Sequence, residues 1–359
     1  MIRVDLVDPP AYTPPYDHAL AAALARGGAE VRLVTSRFAY GTVPATDGYR
    51  TAELFYRRVR GPAGSRLRTA LKAAQHLPDM LRYRSLAGSA DVVHFQWLTV
   101  PRLDLRMLPA APTVLTVHDP IGADGLDAFD AVVVHTEAAR RTVAAQGADP
   151  AHVHVIRHGA FTHLLPLLDG ARLPPELAGT RSQRPVALCF GLVRPYKGTE
   201  TLLQAWRQVD GADLWIVGRP RFDIAPLRAS APPGVSFVPR FVSDSEQAAL
   251  FDRADLVVLP YARDAKLDFS GVLATALGFG RPAVVSDLEG FAEPVELGAA
   301  RSVAAGDADA LGVVLRELIG DPEQRQRLAA AARAAAQGPY SWDAVARATL
   351  DLYDRIRPK

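Results

Sequence analysis

The sequence predicts an α/β chain built from two doubly wound domains in tandem, each a parallel sheet covered on both faces. Three observations predict it. Short continuous apolar runs alternate with amphipathic helical stretches in both halves, the pattern of parallel strands buried on both sides. The 359 residues, 49% of them apolar, are too many for one ordinary core and enough for two. The alternation lapses once, over 164–185, where Leu, Pro, Gly and Arg follow no period and a linker is expected.

The elements of the first half follow in order. Ile2 to Val7 predicts the first strand. The loop from Asp8 to Pro15 carries four prolines, which stiffen it. A helix is expected from about Tyr16 to Arg26, stopped by Gly27-Gly28, and a strand from Val31 to Thr35. A strand near Ala52 to Val59 and a basic helix over Arg66 to Arg84, interrupted by Pro78, come next. Buried strands are then expected at Asp91–Gln96, Thr113–His118 and Ala131–His135, followed by a helix (Glu137–Gln146) and a strand (Val153–Arg157).

In the second half, strands are expected at Val186–Phe190, Leu214–Val217, Val235–Pro239, Leu256–Pro260 and Ala283–Ser286. Helices lie between and after them, at about 199–209, 245–253, 271–279 and 308–319. An alanine-rich helix starts at Asp321-Pro322-Glu323 and breaks at Gly338-Pro339. A last helix, capped by Ser341, carries Trp342, Val345, Thr349, Leu352, Tyr353 and Ile356 on one stripe, which must dock on another surface.

Charge and composition exclude several classes. A net charge of +2 gives no global case for nucleic acid, and no run of 18 apolar residues exists to span a membrane. Cys189 is the only cysteine, so no intrachain disulfide or cysteine metal site forms. With an amino terminus too short and acidic for a signal peptide, a cytoplasmic protein is expected, peripheral at the inner face of the membrane if the basic stretch contacts lipid. That stretch is local: between Leu54 and Ala90, eight cations face only Asp79, a net of +7 that leaves −5 elsewhere. A solvated face, a contact with anionic lipid through 57–84, and attraction of an acidic or phosphorylated acceptor all fit it.

The chemistry concentrates in V-A-L-C-F-G-L-V-R-P-Y-K-G-T-E, Val186 to Glu200. A strand ends at Gly191, and Arg194 and Lys197 follow before a helix, at the strand end where open α/β sheets bind ligands. Arg is a planar fork for phosphate oxygens and Lys a mobile point charge, so this loop suits a diphosphate. A second anion candidate is Ser270-Gly271, opening an apolar helix whose free N–H groups and dipole favour negative charge. Together the two could clamp one pyrophosphate. His118-Asp119 ends a buried strand, and Asp119 could orient the ring. Asp307 and Asp309 look like a surface helix start, and no convincing metal site is present.

The motifs G-L-V-R-P-Y-K-G, V-P-R-F-V-S-D-S-E (238–246), D-L-V-V-L-P-Y (255–261) and S-G-V-L-A-T-A-L-G-F-G-R-P-A-V-V-S-D (270–287) resemble the donor domain of family 4 retaining glycosyltransferases. T-V-L-T-V-H-D-P, V-V-V-H-T-E and V-I-R-H-G resemble the first half of that family, so the resemblance spans nearly the whole chain. It implies the GT-B fold, two Rossmann-like domains facing a central cleft: an acceptor domain over 1–170, a donor domain over 184–338, and a helix over 341–357 crossing back. It implies transfer of a sugar from a nucleotide-diphosphate sugar to an acceptor hydroxyl with retention, and without a metal. The nucleotide sugar would be co-substrate, and the acceptor a small molecule, a glycan or a lipid-linked molecule.

Residue by residue, Arg194 and Lys197 would neutralise the leaving diphosphate. Ser270, Gly271 and Val272 would offer main-chain N–H groups to the distal phosphate, and Arg240, Phe241 and Val242 would lie beside the nucleobase. His118 would sit near the transferred sugar, positioning it rather than acting as a general base. The first loop would face the acceptor, with Tyr12, Tyr16, Asp17 and His18 as contacts, and the strand end at His94, Gln96 and Trp97 would face the same way. Trp97 is either a stacking surface or a core side chain. Three departures stand out. The family's paired glutamates, eight positions apart, are Leu267 and Thr275 here, leaving Asp268 and Thr275 as substitutes. The proline usual before His158-Gly159 is Arg157, and the first loop lacks Gly-Gly. A GT-B epimerase or hydrolase and a non-catalytic nucleotide-sugar-binding protein are the alternatives. A Rossmann dehydrogenase is disfavoured, because no G-x-G-x-x-G follows the first strand.

Overall fold

The computed structural model describes residues 1–38, 41–61, 65–119, 125–177, 183–263 and 269–357. The chain divides into two compact units, Met1–Gly159 with Trp342–Lys359, and Ala160–Ser341.

The first unit holds a seven-stranded parallel sheet in the order β3-β2-β1-β4-β5-β6-β7. Its strands are β1 (Arg3–Asp8), β2 (Glu30–Ser36), β3 (Arg50–Phe55), β4 (Val92–Phe95), β5 (Thr113–Thr116), β6 (Ala131–Val134) and β7 (Val153–Val155). The second unit holds a six-stranded parallel sheet, β10-β9-β8-β11-β12-β13. Its strands are β8 (Val186–Phe190), β9 (Asp213–Val217), β10 (Val235–Val238), β11 (Leu256–Leu259), β12 (Ala283–Ser286) and β13 (Ala300–Val303). Strands β4, β5, β6, β9, β11 and β12 are buried along their whole length, as strands covered by helices on both faces must be. In each sheet the strand order reverses once, between β1 and β4 and between β8 and β11. Those reversals open a crevice at the carboxyl ends of the strands, where such sheets bind ligands.

Four expectations change. The helix Arg66–Leu86 runs unbroken through Pro78. Its core-facing residues are His76, Asp79, Met80 and Tyr83, while Pro78 is exposed, so the carbonyl left without its N–H partner can bond water. Strand β3 ends at Phe55 rather than Val59, because Tyr56 turns into the left-handed region (φ 55°) and its N–H bonds Asp79 at 2.7 Å. The expected linker packs onto the second unit, with Leu164 and Leu177 buried in its core and Phe161 N–H bonded to the Ala274 carbonyl. His94 lies within β4 rather than at a strand end; its ring nitrogens meet Tyr353 (2.6 Å) and Thr116 (2.7 Å). Tyr353 belongs to the last helix, Trp342–Ile356, which buries Trp342, Val345, Ala346, Thr349, Leu352 and Tyr353 within the first unit.

Candidate functional site

In the second unit, β8 ends at Phe190 and Gly191 turns the chain (φ 107°) into a loop bearing Arg194 and Lys197. Gly198 closes that loop in the left-handed conformation (φ 68°) and starts the helix Thr199–Trp206. A Cβ there would lie 1.7 Å from the Pro260 carbonyl oxygen, so only glycine lets the loop press against the end of β11. That contact brings Lys197 to Tyr261. The Lys197 ammonium donates to the Tyr261 hydroxyl and lies 4.1 Å from its ring centre. The same hydroxyl is 3.2 Å from Ser270 Oγ. The two anion candidates are thus joined through a tyrosine that sequence reasoning did not single out. Its signal was there, a Pro-Tyr pair at the end of an apolar strand.

Burial, reinforced by the Arg194 charge, lowers the Lys197 pKa to about 8. The Tyr196 and Tyr261 rings beside the ammonium limit its hydration, leaving a cation that gains from any anion offered to it. Arg194 makes no ion pair among the described residues. Ser270 sits at the N-cap position of the helix Gly271–Gly278, but its side chain does not cap it. Its hydroxyl turns to Tyr261 instead, so the first-turn N–H groups of Gly271 and Val272 have no side-chain cap. A Cβ on Gly191 would meet Val272 at 3.4 Å and the Lys197 nitrogen at 3.9 Å, so the cationic loop and the helix start face one another across van der Waals distance.

Other donor candidates are placed differently. Arg240 forks onto Glu176 (2.7 and 2.9 Å) and onto Glu246 (2.7 and 3.1 Å). It therefore clamps the loop before the helix Asp244–Arg253 and is not an open guanidinium for a base. Phe241 is 52% exposed, with the Arg219 guanidinium 5.7 Å from its ring, and offers a flat apolar surface; Val242 is half-buried beside it. Thr275 is buried and donates to the Gly271 carbonyl at 2.8 Å, so its hydroxyl hydrogen is not available to a ribose. Asp268 and Leu267 lie outside the described residues.

In the first unit, the strand ends gather Gln96, Trp97, His118, His135 and His158. His118 Nδ1 is 3.2 Å from His135 Nε2, and His135 Nδ1 is 3.0 Å from the Ile156 carbonyl. That carbonyl can only accept, so His135 donates from Nδ1 and receives the His118 Nδ1–H at Nε2. His118 Nε2 then carries a lone pair, so the Gln96 carboxamide, whose Oε1 lies 3.3 Å away, must be turned over to present its amide nitrogen. The same orientation gives a partner to the Gln96 amide nitrogen, which is otherwise buried without one. Burial first, then the neighbouring His135 and His158 charges, hold the His118 pKa well below its usual value. Burial likewise lowers His158 to about 3. His118 and His158 are therefore neutral at pH 7, with the His118 tautomer defined.

Trp97 stacks on the His118 ring (centroids 5.1 Å, planes 20° apart), and its indole N–H bonds Thr13 at 3.0 Å. It is half-buried, a stacking surface with one face committed to His118. Tyr12, 63% exposed, meets Trp97 edge-on at 5.4 Å. Three acceptor candidates are not at the surface. Tyr16 is buried among His118, His135, His158 and Trp342. Asp17 is buried beside Asp8; burial and then the Asp8 charge raise its pKa well above the usual carboxylate value, so this pair holds a proton. His18 points to Tyr49 (2.5 Å), and burial lowers its pKa to about 4. The helix Pro14–Arg26 is buried around most of its circumference, so these three consecutive side chains all point into protein.

Two parallel sheets carrying cations and an open helix start at one reversal point, and a polar aromatic cluster at another, define an α/β transferase of the GT-B class. Comparison with known proteins gives the family. The profile described as "Glycosyltransferase Family 4" matches residues 16–163, and that described as "Glycosyl transferases group 1" matches residues 184–321. A D-inositol 3-phosphate glycosyltransferase of Xylanimonas cellulosilytica is 30% identical over 93% of this chain and 89% of its own. Among solved structures, sucrose-phosphate synthase from Thermosynechococcus elongatus covers 99% of both chains with a TM-score of 0.74 at 18% identity. Anabaena HepE in complex with UDP-glucose covers 99% of this chain and 100% of its own, with a TM-score of 0.71 at 17% identity. The chain belongs to the family 4 glycosyltransferases, group 1 type, which use nucleotide sugars.

Proposed function

We propose that this protein transfers a sugar from a nucleotide-diphosphate sugar to an acceptor hydroxyl with retention of configuration and without a metal. The observation that carries it is the Lys197–Tyr261–Ser270 chain at the reversal point of the second sheet. A departing nucleoside diphosphate gathers negative charge, and Lys197, Arg194 and the open N–H groups of Gly271 and Val272 meet it where other enzymes use a metal. Phe241 supplies the surface for the base. In the first unit, a sugar hydroxyl that donates to His118 Nε2 takes the place of Gln96, whose 3.3 Å contact is long. A neutral His118 with Nδ1–H fixed by His135 receives such a bond and positions the sugar.

A panel of nucleotide sugars tests this, with acceptor product analysed by NMR. One donor should be turned over with an unchanged anomeric configuration, in chelator as in buffer. His118→Ala should lower that turnover roughly 10- to 100-fold. Inverted product, or donor hydrolysis with no transfer to any acceptor, would overturn the reading.

We also propose that the helix Arg66–Leu86 touches anionic lipid. Leu67, Leu71 and Leu81 are exposed, at 68%, 41% and 50%, and lie with Pro78 opposite the core-facing residues. Arg66, Arg82 and Arg84 flank them, the arrangement that seats a helix in a headgroup layer. No described helix is long and apolar enough to cross a membrane. Phosphatidylglycerol vesicles should sediment the protein at low salt, and Leu71→Asp with Leu81→Asp should abolish it. Equal sedimentation of that variant would remove the contact.

A further inference from the structure

A second constellation in the first unit stands apart from His118. A cavity of about 690 Å³ is lined by Arg37, Arg57, Arg60, Arg68 and Lys72, with Glu53 the one carboxylate among its walls. Three arginines on the strands of this sheet are paired: Arg3 with Asp91, Arg32 with Asp5, Arg50 with Glu30. None of the five cavity cations makes an ion pair among the described residues. Arg68 reaches only the Gly61 carbonyl (3.1 Å), and Lys72 lies 4.9 Å over the Tyr56 ring. Five cations gathered around a cavity with a single carboxylate are unfavourable unless an anion occupies it.

The floor is built, not incidental. Tyr56 is one of two non-glycine residues at positive φ among the described residues, both at 55°; the other, Ala11, is in the loop after β1. A bulky residue persists there only when its surroundings enforce it. They do: Asp79 takes the Tyr56 N–H at 2.7 Å, and the hydroxyl bonds His76 Nδ1 at 2.7 Å. His76 Nε2 in turn meets Asp104 at 2.5 Å, in a fully buried pair. This chain holds the tyrosine ring beneath Lys72. Burial and the Arg68 charge lower the Lys72 pKa, and Asp8, at the end of β1, raises it. Lys72 therefore lies within electrostatic reach of Asp8.

We propose that this cavity binds the phosphate of a phosphorylated acceptor, with Arg57, Arg60, Arg68 and Lys72 as its ligands. Guanidinium forks match phosphate oxygens two by two, and a lysine over an aromatic ring adds a movable charge. The inference rests on the transferase reading, because it names the class of the molecule that receives the sugar.

The test is calorimetric binding in saturating UDP, which occupies the other phosphate-binding site. Glucose 6-phosphate should bind and glucose should bind at least about 10-fold more weakly. Raising salt from 50 to 300 mM should weaken only the phosphate. Arg57→Gln with Arg60→Gln should cost about 10-fold or more in affinity, while Arg82→Gln, on the helix that carries Arg68 and Lys72, should bind as wild type. Release of nucleotide from donor without acceptor should be unchanged in every variant, so loss of phosphate binding is read apart from loss of donor chemistry. Competition by phosphatidylglycerol vesicles would assign the phosphate to a lipid headgroup, and its absence to a soluble molecule; both outcomes support the site. Equal affinity for glucose and its phosphate, or full binding by the double variant, would overturn it.

Discussion

Lys197→Ala is expected to lower transfer by roughly 10²- to 10³-fold while leaving the circular dichroism spectrum unchanged, the loss seen when one preorganised charge-stabilising group is removed. The reason is local. Lys197 is a half-buried cation beside the rings of Tyr196 and Tyr261, and burial and Arg194 lower its pKa to about 8. A charge so poorly solvated loses little by turning to a diphosphate. The sign of the pH effect follows. In the free protein the ammonium is present below about pH 8 and is lost above it, so kcat/KM should decline as pH rises through 8. Tyr261→Phe should cost far less than Lys197→Ala, because it removes an orienting hydroxyl and no charge. A Lys197→Ala variant with wild-type turnover would end the leaving-group assignment.

The second large effect is acid destabilisation of the first unit. Burial lowers His94 and His158 to about 3, and holds His118 well below its usual value. In the unfolded chain each histidine titrates near 6.5. Between about pH 6.5 and 3 the unfolded state therefore binds protons that the folded state refuses, so stability is full above 6.5 and falls as pH drops. Each histidine contributes roughly 2 kcal/mol of that loss by pH 5. Asp17 works in the opposite direction, because its raised pKa means the folded state holds a proton that the unfolded chain gives up, while His18, lowered to about 4 by burial, adds to the loss. The histidine losses together exceed that offset, so the melting temperature should fall by several degrees between pH 7 and pH 5. His158→Gln should shrink the drop. A melting temperature flat over that range would show that these rings are protonated in the folded protein.

The acid effect was illegible in the sequence, where His94, His118, His135 and His158 are scattered over 65 positions. Parallel strands bring them together, because successive strand ends lie at one edge of the sheet. The Lys197 effect was half legible. Two cations after an apolar strand pointed to phosphate, but the tyrosine that joins them to Ser270 depends on how closely Gly198 lets the loop approach β11. Reading side chains by type alone also failed in the first helix, where Tyr16, Asp17 and His18 look like surface contacts and are buried. Three consecutive helical residues point in three directions, so their burial depends on packing around most of the helix, which sequence periodicity does not show. Arg240 misled for another reason: its partners Glu176 and Glu246 are 64 residues before it and six after it, and no local pattern announces a clamp of that kind.

Apolar periodicity determined the class of this protein from the sequence alone, since buried parallel strands and the helices covering them impose distinct repeats. The order of its motifs determined the family. The tertiary structure alone decided which polar groups are solvated, paired or left uncompensated. Charge and hydrogen-bond energies depend on distance and burial, and the chain folds together residues that sequence separation keeps far apart.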